Sequence, residues 1–123
     1  MKDTVMVVDD DPMVQTTVKR ILESAGLKVT TVDSGDACIS QVEKGFEGLI
    51  LMDISMPKLD GWDTIQTLVD KGLVKGNIIC MLTGKETPDD RMETLKEYIL
   101  DYIRKPFSQA SFVPLVKEYL SYL

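Results

Sequence analysis

The 123-residue chain contains no histidine. This absence removes Ser-His-Asp and Cys-His nucleophilic catalysis and every histidine metal site, so any phosphohistidine chemistry must be supplied by another protein. Basic residues are also short. Fourteen Lys and Arg against twenty Asp and Glu leave a net charge of −6, which argues against binding a nucleic-acid backbone. No apolar run approaches membrane-spanning length, and Met1-Lys2-Asp3 leads into a strand pattern rather than a signal-peptide core. Only two cysteines are present, far apart in apolar surroundings; Cys38 and Cys80 read as reduced, buried small hydrophobes rather than a disulfide or metal pair. Linkers, repeats and low-complexity segments are missing too, so one domain spanning 1–123 is expected, in a cytoplasmic protein.

What is present is an ordinary globular composition, 44% hydrophobic and 28% charged, arranged as five apolar runs alternating with five amphipathic segments. That alternation is the pattern of βα units around a parallel sheet. Thr4 to Val8 is followed by Asp11-Pro12, a cap residue and a proline at the first helical position. Val14, Val18, Ile21, Leu22 and Ala25 then recur at helical spacing, stopped by Gly26. Leu27 to Val32 is more polar, as an edge strand would be, and Ser34-Gly35 opens a second helix. Gly48 to Met52 is continuously apolar and reads as a central strand covered on both faces. Asp60-Gly61 is turn chemistry before a third helix carrying Trp62, Ile65, Leu68 and Val69. Asn77 to Leu82 and Ile99 to Ile103 are the last two strands. Thr87-Pro88 starts a fourth helix whose inner face holds Met92 and Leu95. Phe112, Val113, Val116, Tyr119, Leu120 and Leu123 form the buried stripe of a fifth, expected to start at Ser111 so that Pro114 falls in its first turn. The seven methionines are scattered through strands and helix faces as packing filler.

Polar residues gather where the apolar runs stop. Asp9-Asp10-Asp11 follows Val8, Asp53 follows Met52, Thr83 follows Leu82, and Lys105 closely follows Ile103. In a parallel sheet these strand ends share one edge, so the groups converge on a place able to hold a metal and a phosphoryl group. Asp11 is better explained as a helix cap than as a ligand. Asp9 and Asp10 have a plainer reading as helix-dipole partners, which Asp53 at the end of an all-apolar strand makes less attractive. Lys105-Pro106 fits a tight turn, with a cis bond as one option, that would aim the lysine inward.

Together Val7-Val8-Asp9-Asp10-Asp11-Pro12, Leu51-Met52-Asp53-Ile54-Ser55-Met56-Pro57-Lys58-Leu59-Asp60-Gly61, Leu82-Thr83-Gly84 and Tyr102-Ile103-Arg104-Lys105-Pro106-Phe107 resemble a response regulator receiver domain of the CheY type. The resemblance covers the whole chain. It implies a doubly wound (βα)5 three-layer sandwich, flavodoxin-like, with a parallel sheet of strand order 2-1-3-4-5. It implies that Asp53 is the phosphoacceptor, charged by a sensor histidine kinase, a phosphotransfer protein or a small phosphodonor. Mg²⁺ (or Mn²⁺) would be held by Asp10, Asp53 and the Ser55 backbone carbonyl, with Asp9 assisting through water. Thr83 and Lys105 would bind phosphoryl oxygens, and Tyr102 would be the aromatic that changes rotamer on activation, although a plain half-buried strand aromatic is its simpler reading. Gly84 would leave the approach to Asp53 open, and Ser55 and Lys85 would tune the lifetime of the acyl phosphate.

The implied activity is that of a two-component signalling switch, not an enzyme beyond its own phosphorylation and dephosphorylation. A downstream protein would dock on the face of the fourth helix, fifth strand and fifth helix, with no direct nucleic-acid or membrane contact, as a monomer or a phosphorylation-dependent dimer. Two departures fall on that face: Tyr98 stands where the family has a glycine, and Pro114 lies within the last helix. A stand-alone module is expected, because the chain starts at Met1 and closes on an apolar helix. A receiver excised from a longer regulator or hybrid kinase is the alternative. An aspartyl-phosphate phosphohydrolase fits less well, because Ser55 occupies the place of the second carboxylate and no substrate cap exists.

Overall fold

Continuous apolar runs form the centre of the sheet, and mixed runs form its edges. In the computed structural model, which describes residues 3–84, 90–105 and 108–123 (backbone alone for 90–92), β3 (Leu49–Asp53) is buried at every position. It lies between β1 (Thr4–Val8) and β4 (Ile78–Thr83), with β2 (Lys28–Val32) and β5 (Ile99–Arg104) outside them. All pairs are parallel, and the order is β2-β1-β3-β4-β5, a doubly wound sheet as expected. β2 has no fully buried residue, consistent with its place at an edge.

The helices cover both faces. Val18, Ile21 and Leu22 of α1 (Pro12–Ser24) and Phe112, Val116, Tyr119 and Leu120 of α5 (Gln109–Leu120) pack on Val5, Val7, Leu49, Leu51, Cys80 and Leu82. On the other face Cys38, Ile39 and Val42 of α2 (Gly35–Glu43), Trp62, Ile65 and Leu68 of α3 (Gly61–Asp70) and Leu95 of α4 (Asp90–Leu95) pack on Met6, Val8, Ile50, Met52, Ile79 and Met81. Odd and even strand positions thus feed separate cores, as the pleat dictates. Cys38 and Cys80 are both free and buried, one in each core, and burial pushes each thiol up to about 12.

Local chemistry sets the helix starts. Asp11 caps α1 by accepting from the Met13 amide at 2.9 Å, and Pro12 takes the first helical position. Ser34 and Asp60 cap α2 and α3 in the same way. The Asp60-Gly61 turn is therefore a helix cap, and Gly61 is required by space: a Cβ there would collide with the Asp53 carbonyl oxygen.

The last helix departs from expectation at both ends. The last helix starts at Gln109, capped by Ser108, rather than at Ser111, so Pro114 is its sixth residue and not in its first turn. The Ser108 hydroxyl accepts from the Ser111 amide, which stabilises the earlier start. Leu123 lies beyond the helix and is exposed, and Val113 is only half-buried. The stretch without a glycine stop ends in a 3₁₀ turn, Lys96–Tyr98, with Tyr98 half-buried against the α3–α4 core and outside the left-handed region that demands glycine. β5 then carries a bulge: Ile79 pairs with Ile99 but Cys80 with Asp101, leaving Leu100 extra and exposed at the sheet edge. The Asp101 carboxylate accepts from the Tyr102 amide and the Tyr119 hydroxyl, tying β5 to α5. The Thr87-Pro88 helix start, the Met92 side chain, the Lys105-Pro106 bond, Phe107 and the role given to Lys85 lie outside the described residues.

Candidate functional site

Register brings the polar groups together. Val8 pairs with Met52, Asp53 with Leu82 and Thr83 with Arg104, so the ends of β1, β3, β4 and β5 fall on one edge of the sheet. Asp9 is 1% exposed and Asp53 4%. Between them sits the Lys105 ammonium, 2.9 Å from Asp9 Oδ2 and 3.3 Å from Asp53 Oδ1. The Lys105 amide donates to the Thr83 carbonyl at 2.7 Å, which fixes the lysine backbone to the end of β4. Asp10 points outward and is exposed, yet oxygens of Asp9, Asp10 and Asp53 lie within 4.8 Å of one another.

Ser55 is exposed on the loop after β3, and its backbone bonds the Asp53 carboxylate. Tyr102 is half-buried on β5 with its ring 6.5 Å from that of Trp62, tilted by 46°. It faces the α3–α4 core, and burial together with Glu93 on α4 raises its phenol.

The electrostatics are those of an under-neutralised acidic pocket. Burial, then the neighbouring Asp9, push Asp53 up to about 6, against the lowering effects of Lys105 and Ser55. Burial by itself would lower Lys105, but its bonds and attraction to Asp9 and Asp53 outweigh that and leave it raised. Among the described residues, one ammonium, paired to Asp9 and Asp53, thus sits at a cluster of three carboxylates. Such a set of hard oxygen donors with surplus negative charge suits a small divalent cation, for which one or two carboxylates plus other oxygens suffice. Among the described residues, Asp9, Asp10 and Asp53 form a group able to hold it. Next to them, the cationic Lys105 could meet an anionic group brought to Asp53, and Thr83 ends the adjoining strand.

Sequence reasoning singled out Asp9, Asp10, Asp53, Ser55, Thr83, Tyr102 and Lys105, but not Gln15. Its side chain, on α1, donates to the carbonyl of Asp9 at 2.6 Å and to that of Val32 at 3.3 Å. The available signal was a polar residue beside Val14 on the inner side of an amphipathic helix, one turn after the cap.

The model of the response regulator receiver domain matches residues 5–117. The chain belongs to this family. It is 44% identical to a CheY-like receiver domain protein from Methanospirillum hungatei JF-1, whose crystal structure superposes with a TM-score of 0.92 over 97% of this chain and 94% of that one. It is 32% identical to the alkaline phosphatase synthesis transcriptional regulatory protein PhoP of Bacillus subtilis, over 98% of this receiver but 49% of PhoP. A 14.6 kDa protein of Leptolyngbya boryana is 30% identical over 94% of this chain and 88% of its own length. The chain spans about half the length of the transcriptional regulatory relatives it matches. Five parallel strands in the order 2-1-3-4-5 make the receiver fold.

Proposed function

We propose that this receiver is a phosphorylation-controlled switch in which Asp53 accepts a phosphoryl group from a phosphohistidine on a sensor kinase or phosphotransfer protein. A small phosphodonor such as acetyl phosphate would serve as well. The carboxylate oxygen attacks phosphorus, the P–N bond breaks, and the imidazole nitrogen leaves with the bonding pair and takes up a proton. These 123 residues contain no histidine, so the phosphohistidine lies outside them. Lys105 binds phosphoryl oxygens as they leave the donor, and the Thr83 hydroxyl donates a hydrogen bond to one of them. Asp9, Asp10, Asp53 and the Ser55 carbonyl would hold Mg²⁺ (or Mn²⁺), which would neutralise charge on the transferring group. Water attack on the acyl phosphate returns Asp53 and inorganic phosphate.

The observation that carries this reading is the buried Asp53 carboxylate, held up to about 6 and ion-paired to Lys105 beside two further acids. Incubation with Mg²⁺ and acetyl phosphate tests it. An acid-stable, base-labile adduct is expected on the wild type and none on Asp53→Asn; equal labelling of the variant refutes the assignment.

Output runs through a change of partner binding at the face of α4, β5 and α5, in the cytoplasm. Among the described residues no helix is long and apolar enough to cross a membrane. The half-length match to transcriptional regulatory proteins supports a second reading, that the same switch governs a DNA-binding or enzymatic segment in a longer chain.

A further inference from the structure

Strand pairing of β1 stops at Val8, one residue before the acids. The Asp9 amide still donates to the Val32 carbonyl at 3.1 Å, but the Asp9 carbonyl has passed the end of both ladders. A part-buried carbonyl without a donor is costly. Gln15 Nε2 fills that role at 2.6 Å, and its second contact, at 3.3 Å, reaches the same Val32 carbonyl that receives the Asp9 amide. The side chain therefore spans the ends of β1 and β2 from the first turn of α1, whose own start is fixed by Asp11.

The remaining atoms of Asp9 are also committed. Oδ1 accepts from the Asp11 amide at 2.9 Å and Oδ2 from Lys105. Asp10 is thus flanked by two fixed residues: Asp9, held by Gln15, and Asp11, held through its amide and its cap. Its carboxylate is left exposed to solvent. A small, rigidly solvated cation tolerates little error in ligand placement, so the outer group that orients a ligand acts on affinity as well as on structure.

We propose that Gln15 is a positioning residue for the acidic pair: it latches the Asp9 carbonyl to the end of β2 and so sets where Asp9 and Asp10 present their carboxylates. Its second consequence, tighter Mg²⁺ binding, rests on the reading of the site given above.

Gln15→Met removes both donors while keeping length and helix preference, and Gln15→Arg restores a donor. In metal-free protein, amide hydrogen exchange at Asp9 and Asp11 should accelerate about tenfold in Gln15→Met and return toward wild type in Gln15→Arg, with amides of α5 unchanged. Calorimetric titration with Mg²⁺ alone should show affinity weakened about tenfold in Gln15→Met, the size seen when an orienting group behind a ligand is lost. Unchanged exchange at both amides overturns the proposal, as does acceleration spread equally over α5, which marks general loosening. Wild-type protein that takes up no Mg²⁺ overturns the metal reading of the site, and exchange in the metal-free protein then judges the latch by itself.

Discussion

Lys58 is a non-glycine residue at φ 66°, in the loop between Asp53 and α3. An L-residue in the left-handed region carries roughly 1 kcal/mol of strain that glycine avoids. Lys58→Gly gives back some of that through the greater freedom of the unfolded chain. We expect a net gain of about 0.5 kcal/mol, read as a higher urea midpoint at unchanged slope. Asp53 presents a larger conflict. Its carboxyl is raised from the usual 3.8 to about 6 by burial and by Asp9, so between about pH 4 and 6 the folded protein holds a proton there that the unfolded chain releases. Its contribution to stability is full below about pH 4 and is lost as pH rises through 6. Asp53→Asn cannot ionise and should stabilise the metal-free protein at pH 7 by about 2 kcal/mol, a gain that shrinks toward zero below pH 4. Urea titrations at pH 4 and pH 7 measure it, and a gain equal at both pH values contradicts the pressure on this carboxylate.

At the scale of elements, α5 carries a built-in defect. Proline at its sixth position has no N–H for the bond to the Ala110 carbonyl, and its ring crowds that turn. Pro114 is exposed, so alanine there restores the bond without disturbing the core. Pro114→Ala should raise stability by about 2 kcal/mol, visible as a thermal midpoint higher by roughly 5 °C or more. The same helix shows where sequence reasoning stops. Alternating apolar runs, caps at Asp11 and Ser34 and the glycine stops made the five βα units legible, because each depends on neighbours within a turn or two. The start of α5 was misplaced because the proline penalty was weighed without the Ser108 cap that anchors the turn before it. The β5 bulge was invisible for a different reason: Leu100 fits a strand pattern, and only pairing with β4 reveals it as surplus. The site was legible further than the elements, since strand ends of a parallel sheet converge whatever the side chains between them. Gln15 was missed because its partners are backbone carbonyls, which carry no signature in the sequence.

On the scale of the whole molecule, the acidic edge and the Tyr102 side chain lie on adjoining strands. Thr83 pairs with Arg104 and its carbonyl accepts from Lys105, so a pull on the end of β4 is passed to the end of β5. Three residues before Lys105, Tyr102 leans on Trp62 of α3 and feels Glu93 of α4. Phosphorylation of Asp53 would add close to two negative charges and three acceptors beside Lys105 and Thr83. We expect Thr83 to move toward them and the Tyr102 ring to turn, as a shift between two arrangements that both exist beforehand. Trp62 is 3% exposed and packs against that ring, so its emission should report the shift. Tyr102→Ala should then leave acetyl phosphate labelling of Asp53 within about twofold of wild type while abolishing most of the phosphorylation-dependent change at Trp62 and weakening partner binding. Loss of labelling and of the optical response in equal measure would place Tyr102 in the site itself. An intact response in Tyr102→Ala would remove the ring from the path between the acids and the outer face of β5.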